Sequence, residues 1–122
     1  MALNKPKYTL FKNTQYALNG FVEITKNESS FKLQLLGLIL FSIIAWMLEI
    51  KFVYSAILQV SLFIPLMAEI ANSSIERVVD LVTTEYHELA KRAKDAGATL
   101  VLVSLIVTLL IWIFTFIHAG LL

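Results

Sequence analysis

The chain has no cysteine among its 122 residues. Disulfides, thiolate metal sites and a cysteine nucleophile are therefore excluded. Charge is also scarce: 16% of the residues are Asp, Glu, Lys or Arg, against about a quarter in an ordinary soluble domain. The net charge is only +1, which offers nothing to draw in nucleic acid. A GxxxxGK[ST] loop is missing, so the phosphate cradle of Walker-type proteins is excluded. Residues 1–30 hold no short apolar core followed by a small-residue cleavage site, and the chain is expected to insert as it stands. There are no internal repeats and no low-complexity tracts, and the length suits one domain over 1–122.

What the chain does have is apolar sequence. Hydrophobic residues make up 58%, a shift that points to a membrane protein. Leu33–Leu48 (LQLLGLILFSIIAWML) and Phe52–Ala68 carry no charge, and Gly97–Leu122 has no Asp, Glu, Lys or Arg. A spanning helix needs about 20 mainly apolar residues. Spans are expected at about 31–48, at 52–71 with the helix continuing to about 82, and at 97–118. Lys32 can snorkel at one end of span one, and Trp46, Glu49, Lys51 and Tyr54 can sit among headgroups at the other. Only Glu49–Lys51 link spans one and two, so these form a tight antiparallel hairpin.

Residues 8–26 have a helical rhythm. Lys12, Gln15, Asn19, Glu23 and Lys26 form a polar stripe, with Leu10, Phe11, Leu18, Phe21 and Val22 largely off it. That pattern suits an amphipathic helix lying on the membrane surface. Basic residues cluster before span one and between spans two and three (Arg77, Lys91, Arg92, Lys94), with only Lys51 on the other side. By the positive-inside rule the N-terminus is cytoplasmic and the C-terminus is outside. The expected fold is an all-α membrane protein: three transmembrane helices plus an N-terminal surface helix.

The end of span two is unusual. Ala68–Asp80 reads AEIANSSIERVVD. On a helix, Glu69, Asn72, Ser73, Glu76 and Asp80 fall within roughly a 100° arc, while Ser74 and Arg77 lie off its centre. A wet helix end explains polarity but not the preference for carboxylates and amides on one face. Glu69 stands at the hydrocarbon boundary, where an ionisable group is costly and functional by default. Carboxylates one or two turns apart can bind Mg²⁺ together with phosphates, and a partly desolvated Glu can take a proton. Both roles together describe phosphoryl transfer at a membrane surface. A path for cations through a carboxylate ring remains open on these residues alone.

The motif Glu69-Ile-Ala-Asn72-Ser73-Ser74-Ile-Glu76, with Val79-Asp80 following, resembles the signature of the small bacterial integral-membrane diacylglycerol kinases. Glu85-Tyr86-His87-Glu88-Leu89, Ala93-Lys94-Asp95-Ala-Gly-Ala and Asn27-Glu28-x-x-Phe31 extend the resemblance over nearly the whole chain. It implies a homotrimer in the bacterial inner membrane, with sites built between neighbouring subunits at the cytoplasmic interface. It implies ATP-dependent phosphorylation of diacylglycerol to phosphatidic acid, with Mg²⁺. It assigns Glu69 as the base on the lipid hydroxyl and Glu28 and Glu76 as metal ligands. Tyr16, Glu28, Asn72, Glu76, Glu85, Tyr86, His87, Lys94 and Asp95 fall on the ATP side, and Trp112 with Glu69 on the lipid side. Thr9, where members often carry Arg, and Gln34, where some carry Glu, depart from the pattern near the lipid entrance.

Read without the resemblance, several of these residues have plainer roles. His87 suits a surface histidine, Tyr86 an interfacial anchor, Glu28 a polar turn, and Trp112 helix packing. Lys94 is expected near a helix start, where a cation and free backbone N–H groups meet phosphate. Ser104, Thr108 and Thr115 suit helix packing, and Pro65 a kink. Undecaprenol, a polyprenyl alcohol, is the alternative substrate within the same fold, and a small oligomeric cation channel or transporter subunit is the alternative of another class. The Tyr86-His87-Glu88-Leu89 stretch leans to diacylglycerol.

Overall fold

A computed structural model describes residues 9–122. Tyr8, where the expected surface helix begins, lies outside the described residues, as do Lys5 and Lys7 of the basic N-terminal group. Every regular element among the described residues is helical: α1 (Leu10–Asn27), α2 (Ser29–Met47), α3 (Phe52–Ser61), α4 (Phe63–Val82) and α5 (Glu88–His118).

Thr9 starts α1. Its hydroxyl oxygen accepts from the Lys12 N–H at 3.2 Å, satisfying one of the donors a helix start leaves free. The helix stops at Glu28, whose backbone is extended (φ −121°, ψ 115°), and α2 begins one residue later. This elbow turns the chain sharply between α1 and α2. Phe31 locks it: its side chain is wholly buried and its ring meets Phe21 edge-on with centroids 5.8 Å apart, a favoured aromatic geometry.

At its far end α2 turns into α3 within four residues, and the turn is stapled. Trp46 Nε1 donates to Gln59 Oε1 at 3.0 Å, and the Trp46 ring packs on Phe52 at 5.5 Å. Trp46 is thus more than the headgroup anchor the sequence suggests. It ties the two arms of the hairpin together.

Helices α3 and α4 run on as a single element over Phe52–Val82, interrupted only at Leu62. Pro65 explains the interruption. It has no N–H, so the Ser61 carbonyl loses its usual helical donor. The Thr108 hydroxyl of α5 lies 3.3 Å from that carbonyl and 2.9 Å from the Ser104 carbonyl of its own helix, so its one proton is shared between the two. Ser61 turns its own hydroxyl to the Leu58 carbonyl at 2.7 Å and accepts from Trp112 Nε1 at 3.1 Å. In a membrane such a freed backbone group must be satisfied from a neighbouring helix, and Thr108 and Trp112 gather around it from α5.

Three helical stretches, Ser29–Met47, Phe52–Val82 and Glu88–His118, are long and apolar enough to cross a membrane. The third begins nine residues before the expected Gly97. His87 explains the early start: its Nδ1 accepts from the Leu89 N–H at 3.1 Å and caps the helix. α4 and α5 pack against each other most extensively. Many large apolar side chains stay exposed on the single chain, among them Leu33, Leu36, Met47, Leu102, Leu109 and Phe114. An apolar belt of this kind is covered by lipid or by further protein surface.

Candidate active site

The polar stripe of α4 lies between two clefts. At its inner end Glu69 is buried, with 6% of its surface exposed. An ionisable group held away from water requires a partner, and Gln34 of α2 supplies one: its Nε2 donates to Glu69 Oε2 at 3.3 Å. Gln34 in turn lines an apolar cleft of about 440 Å³ with Phe41, Leu62, Pro65, Thr108 and Trp112. The Trp112 ring is held there edge-on to Phe41, 5.5 Å between centroids. Glu69 is therefore joined through Gln34 to an apolar cleft that runs past the Pro65 kink to Phe41 and Trp112.

One turn outward along α4, Asn72 and Ser73 are buried. Asn72 Nδ2 donates to Glu76 Oε1 at 3.3 Å, while its Oδ1 is buried without any partner. This oxygen faces Gly97 of α5, where an added Cβ would collide with it. Glycine at 97 is what lets the two helices approach so closely.

Glu28 arrives at this stripe from the α1–α2 elbow, as the sequence requires if it is to work with Glu76. Its Oε2 accepts from the Ser73 hydroxyl. Its Oε1 accepts from Arg77 Nε at 3.1 Å and Nη2 at 2.8 Å. The same guanidinium reaches Glu23 through Nη1 at 2.5 Å. The Arg77 guanidinium holds the Glu23 carboxyl below its ordinary value of 4.5. Sequence spacing does not reveal Arg77 in this position. It lies off the centre of the stripe, and only the fold of α1 onto α4 brings it to two carboxylates.

At the outer end of α4 a second cleft, about 300 Å³, is lined by Asp80, Glu85, Tyr86, His87, Lys94 and Asp95, among others. Five of the residues that the resemblance places near nucleotide thus share one concavity. Lys94 Nζ contacts Asp80 Oδ1 at 2.6 Å. Lys91 and Asp95 pair at 2.6 Å and Arg92 and Glu88 at 3.1 Å, each one helical turn apart. The Tyr86 hydroxyl donates to Glu88 Oε2 at 2.9 Å, and that carboxylate raises the Tyr86 hydroxyl above its ordinary range. One expectation needs correcting. Lys94 is not near a helix start: α5 begins at Glu88, so the N–H groups around Lys94 are inside the helix and what it can offer a phosphate is its ammonium, here paired with Asp80. Tyr16 stands apart on the exposed side of α1 and does not line this cleft.

Among the described residues no three His, Asp or Glu side chains converge on one point. Mg²⁺ does not need three: it takes one or two carboxylates and completes its shell with phosphate oxygens and water. The donor set at hand is all oxygen. Glu76 accepts from Asn72 Nδ2 on the preceding turn, and Glu28 adjoins the same helix through Ser73. This set fits a hard divalent cation.

The model of the prokaryotic diacylglycerol kinase family matches residues 15–116. Among similar proteins is the diacylglycerol kinase of Escherichia coli K12, 35% identical over 113 residues, covering 92% of this chain and 93% of the relative. The diacylglycerol kinase of Haemophilus influenzae is 37% identical over 105 residues, 84% of this chain and 87% of its own. That of Helicobacter pylori 26695 is 39% identical over 104 residues, 84% of this chain and 80% of its own.

Proposed function

The chain belongs to the prokaryotic diacylglycerol kinase family, and from that premise we propose that it transfers the γ-phosphoryl group of ATP to the free hydroxyl of diacylglycerol, giving phosphatidic acid. The observation that carries the reading is the placing of Glu69. Buried and hydrogen-bonded by Gln34, which lines the apolar cleft, it begins the polar face of α4 that continues to Asp80 in the polar cleft. A kinase that joins a lipid to a nucleotide needs a carboxylate at such a boundary.

In the proposed reaction the diacylglycerol hydroxyl lies against Glu69, its acyl chains along the side of Phe41 and Trp112. Gln34 holds Glu69 Oε2, which leaves Oε1 to accept the hydroxyl proton. The hydroxyl oxygen attacks the γ-phosphorus, the bond to the β–γ bridging oxygen breaks, and ADP leaves with that oxygen. Positioning and charge stabilisation supply most of the acceleration in such transfers. Lys94, Asp95, Glu85, Tyr86 and His87 would hold the nucleotide in the outer cleft. Glu28 and Glu76 would hold Mg²⁺, which when bound neutralises charge on the phosphate oxygens, and Asn72 would hold Glu76 beside them.

The same reading sets the protein in the bacterial inner membrane as a homotrimer. Basic residues flank the outer cleft and α1, favouring a cytoplasmic site with the C-terminus outside. α1 would lie in the interface with Leu10, Phe11 and Leu18 towards lipid. Association would cover part of the exposed apolar belt and give the shallow clefts further walls. Incubating the purified protein in mixed micelles with ATP and diacylglycerol, and following phosphatidic acid, tests the proposal. Mg²⁺-dependent product supports it, and lack of product from folded protein overturns it.

A further inference from the structure

The phosphoryl-transfer reading leaves Arg77 without a task, yet Arg77 makes three side-chain contacts that join distant parts of the chain. From α4 it reaches Glu28 with Nε and Nη2, at 3.1 and 2.8 Å, and Glu23 with Nη1, at 2.5 Å. The Ser73 hydroxyl takes the other Glu28 oxygen. A carboxylate offers about four lone-pair sites, and three of those on Glu28 are in use. A divalent cation at Glu28 therefore meets a monovalent cation already seated there.

The elbow does not depend on Arg77 to hold its shape. The Glu28 N–H donates to the Ile24 carbonyl at 3.0 Å, and the Glu28 carbonyl accepts from the Lys32 N–H at 3.2 Å. Phe31, wholly buried, fixes the first turn of α2. Ser73 holds Glu28 by the oxygen that Arg77 does not touch. The guanidinium adds charge more than it adds position. Glu23 gives that charge a second seat: when Arg77 leaves Glu28 it still has a carboxylate to pair with, so the exchange strands neither ion.

We propose that Arg77 is a built-in counter-ion of Glu28, exchanged for Mg²⁺ when nucleotide binds, and that the Glu23–Arg77–Glu28 clamp sets the divalent-ion concentration the protein requires. The inference rests on the reading of Glu28 as a metal carboxylate. It gives two variants opposite signs. Arg77→Gln keeps a hydrogen-bond donor and removes the competing charge, so divalent affinity rises. Glu23→Gln removes the second seat and leaves Arg77 with Glu28 alone, so divalent affinity falls. A merely structural clamp would move both in the same direction.

The test is Mn²⁺ binding, read by electron paramagnetic resonance, to the full chain in lipid nanodiscs with a saturating non-hydrolysable ATP analogue. The expected result is binding a few-fold tighter in Arg77→Gln and a few-fold weaker in Glu23→Gln, the scale of one exposed ion pair. Arg77→Lys, which retains the charge, should stay near the wild type. No change in Arg77→Gln, or shifts of the same sign in both variants, overturns the inference. Glu28→Gln separates the two levels of the argument. If it abolishes Mn²⁺ binding while Arg77→Gln changes nothing, Glu28 is a ligand and the counter-ion role fails. If it leaves Mn²⁺ binding intact, the metal role of Glu28 fails and takes the counter-ion role with it.

Discussion

Asn72 on α4 and Gly97 on α5 lie so close that a single methyl group at 97 would run into the Asn72 side-chain oxygen. That oxygen is buried and otherwise unpartnered, and its amide nitrogen holds Glu76. Gly97→Ala must then push α5 outward or turn Asn72 away from Glu76. Overpacking of this kind costs about 1–3 kcal/mol. The expected outcome is a lower unfolding temperature in detergent together with weaker nucleotide binding. Gly20→Ala on α1, where an added Cβ meets nothing within 4 Å, is expected to leave both unchanged or slightly improved.

The hydroxyl of Thr108 lies between the Ser104 carbonyl of its own helix at 2.9 Å and the Ser61 carbonyl freed by Pro65, and should matter to the extent that it donates to the second. Thr108→Val keeps the shape and removes the group 3.3 Å from the Ser61 carbonyl. Interhelical hydrogen bonds within membranes contribute about 0.6–2 kcal/mol, so a loss of that size is expected in a denaturation series. Thr108→Ser, which keeps the donor, should recover most of it. Equal losses in both variants would attribute the effect to methyl packing instead.

Gln34 should set how well Glu69 is aimed. Gln34→Leu removes the donor at 3.3 Å from Glu69 Oε2 and leaves the buried carboxylate short of a partner, at a cost of about 1–3 kcal/mol. Turnover is expected to fall, with Gln34→Asn intermediate because its shorter amide cannot reach as far. Retained turnover in Gln34→Leu would detach Gln34 from the chemistry.

The contact between α1 and α4 should depend on acidity. Arg77 holds the folded-state Glu23 carboxyl below 4.5, its ordinary value. For a depressed carboxyl the stabilisation is complete above the unfolded value and disappears as pH falls through the lower, folded one. Hydrogen exchange of α1 amides should therefore be insensitive to pH above the ordinary Glu value after correction for intrinsic rates, and protection should drop only as pH falls below it. The drop is expected to vanish in Arg77→Gln. Because Glu23 and Arg77 are exposed, the effect will shrink as salt is added.

Much of the architecture was legible from hydrophobic runs. The three long apolar stretches and the short turn at Leu48–Lys51 follow from uncharged length alone, and the polar face of α4 follows from spacing. Three features were not legible, one a local cap and two that depend on contacts remote in sequence. α5 starts at Glu88 because His87 caps it, a local event hidden inside a polar stretch. Gln34 meets Glu69 across 35 residues, and nothing in the sequence near either one signals the other. Arg77 reads as an ordinary basic residue at a helix end until the α1–α2 elbow swings Glu23 and Glu28 onto it. The roles of the site residues came from motif resemblance, whereas their grouping into two clefts joined by one helix face came from the fold.

The most direct test of a lipid kinase with Glu69 as its base is phosphate transfer itself. Wild type and Glu69→Gln would be assayed side by side in mixed micelles with radiolabelled ATP, first with diacylglycerol and then with undecaprenol. The account predicts labelled phosphatidic acid from the wild type, less product from undecaprenol, and a fall of at least about 10²-fold in Glu69→Gln with helix content unchanged. Near-normal turnover in Glu69→Gln would contradict the role of Glu69, and efficient labelling of undecaprenol with none of diacylglycerol would contradict the assigned substrate.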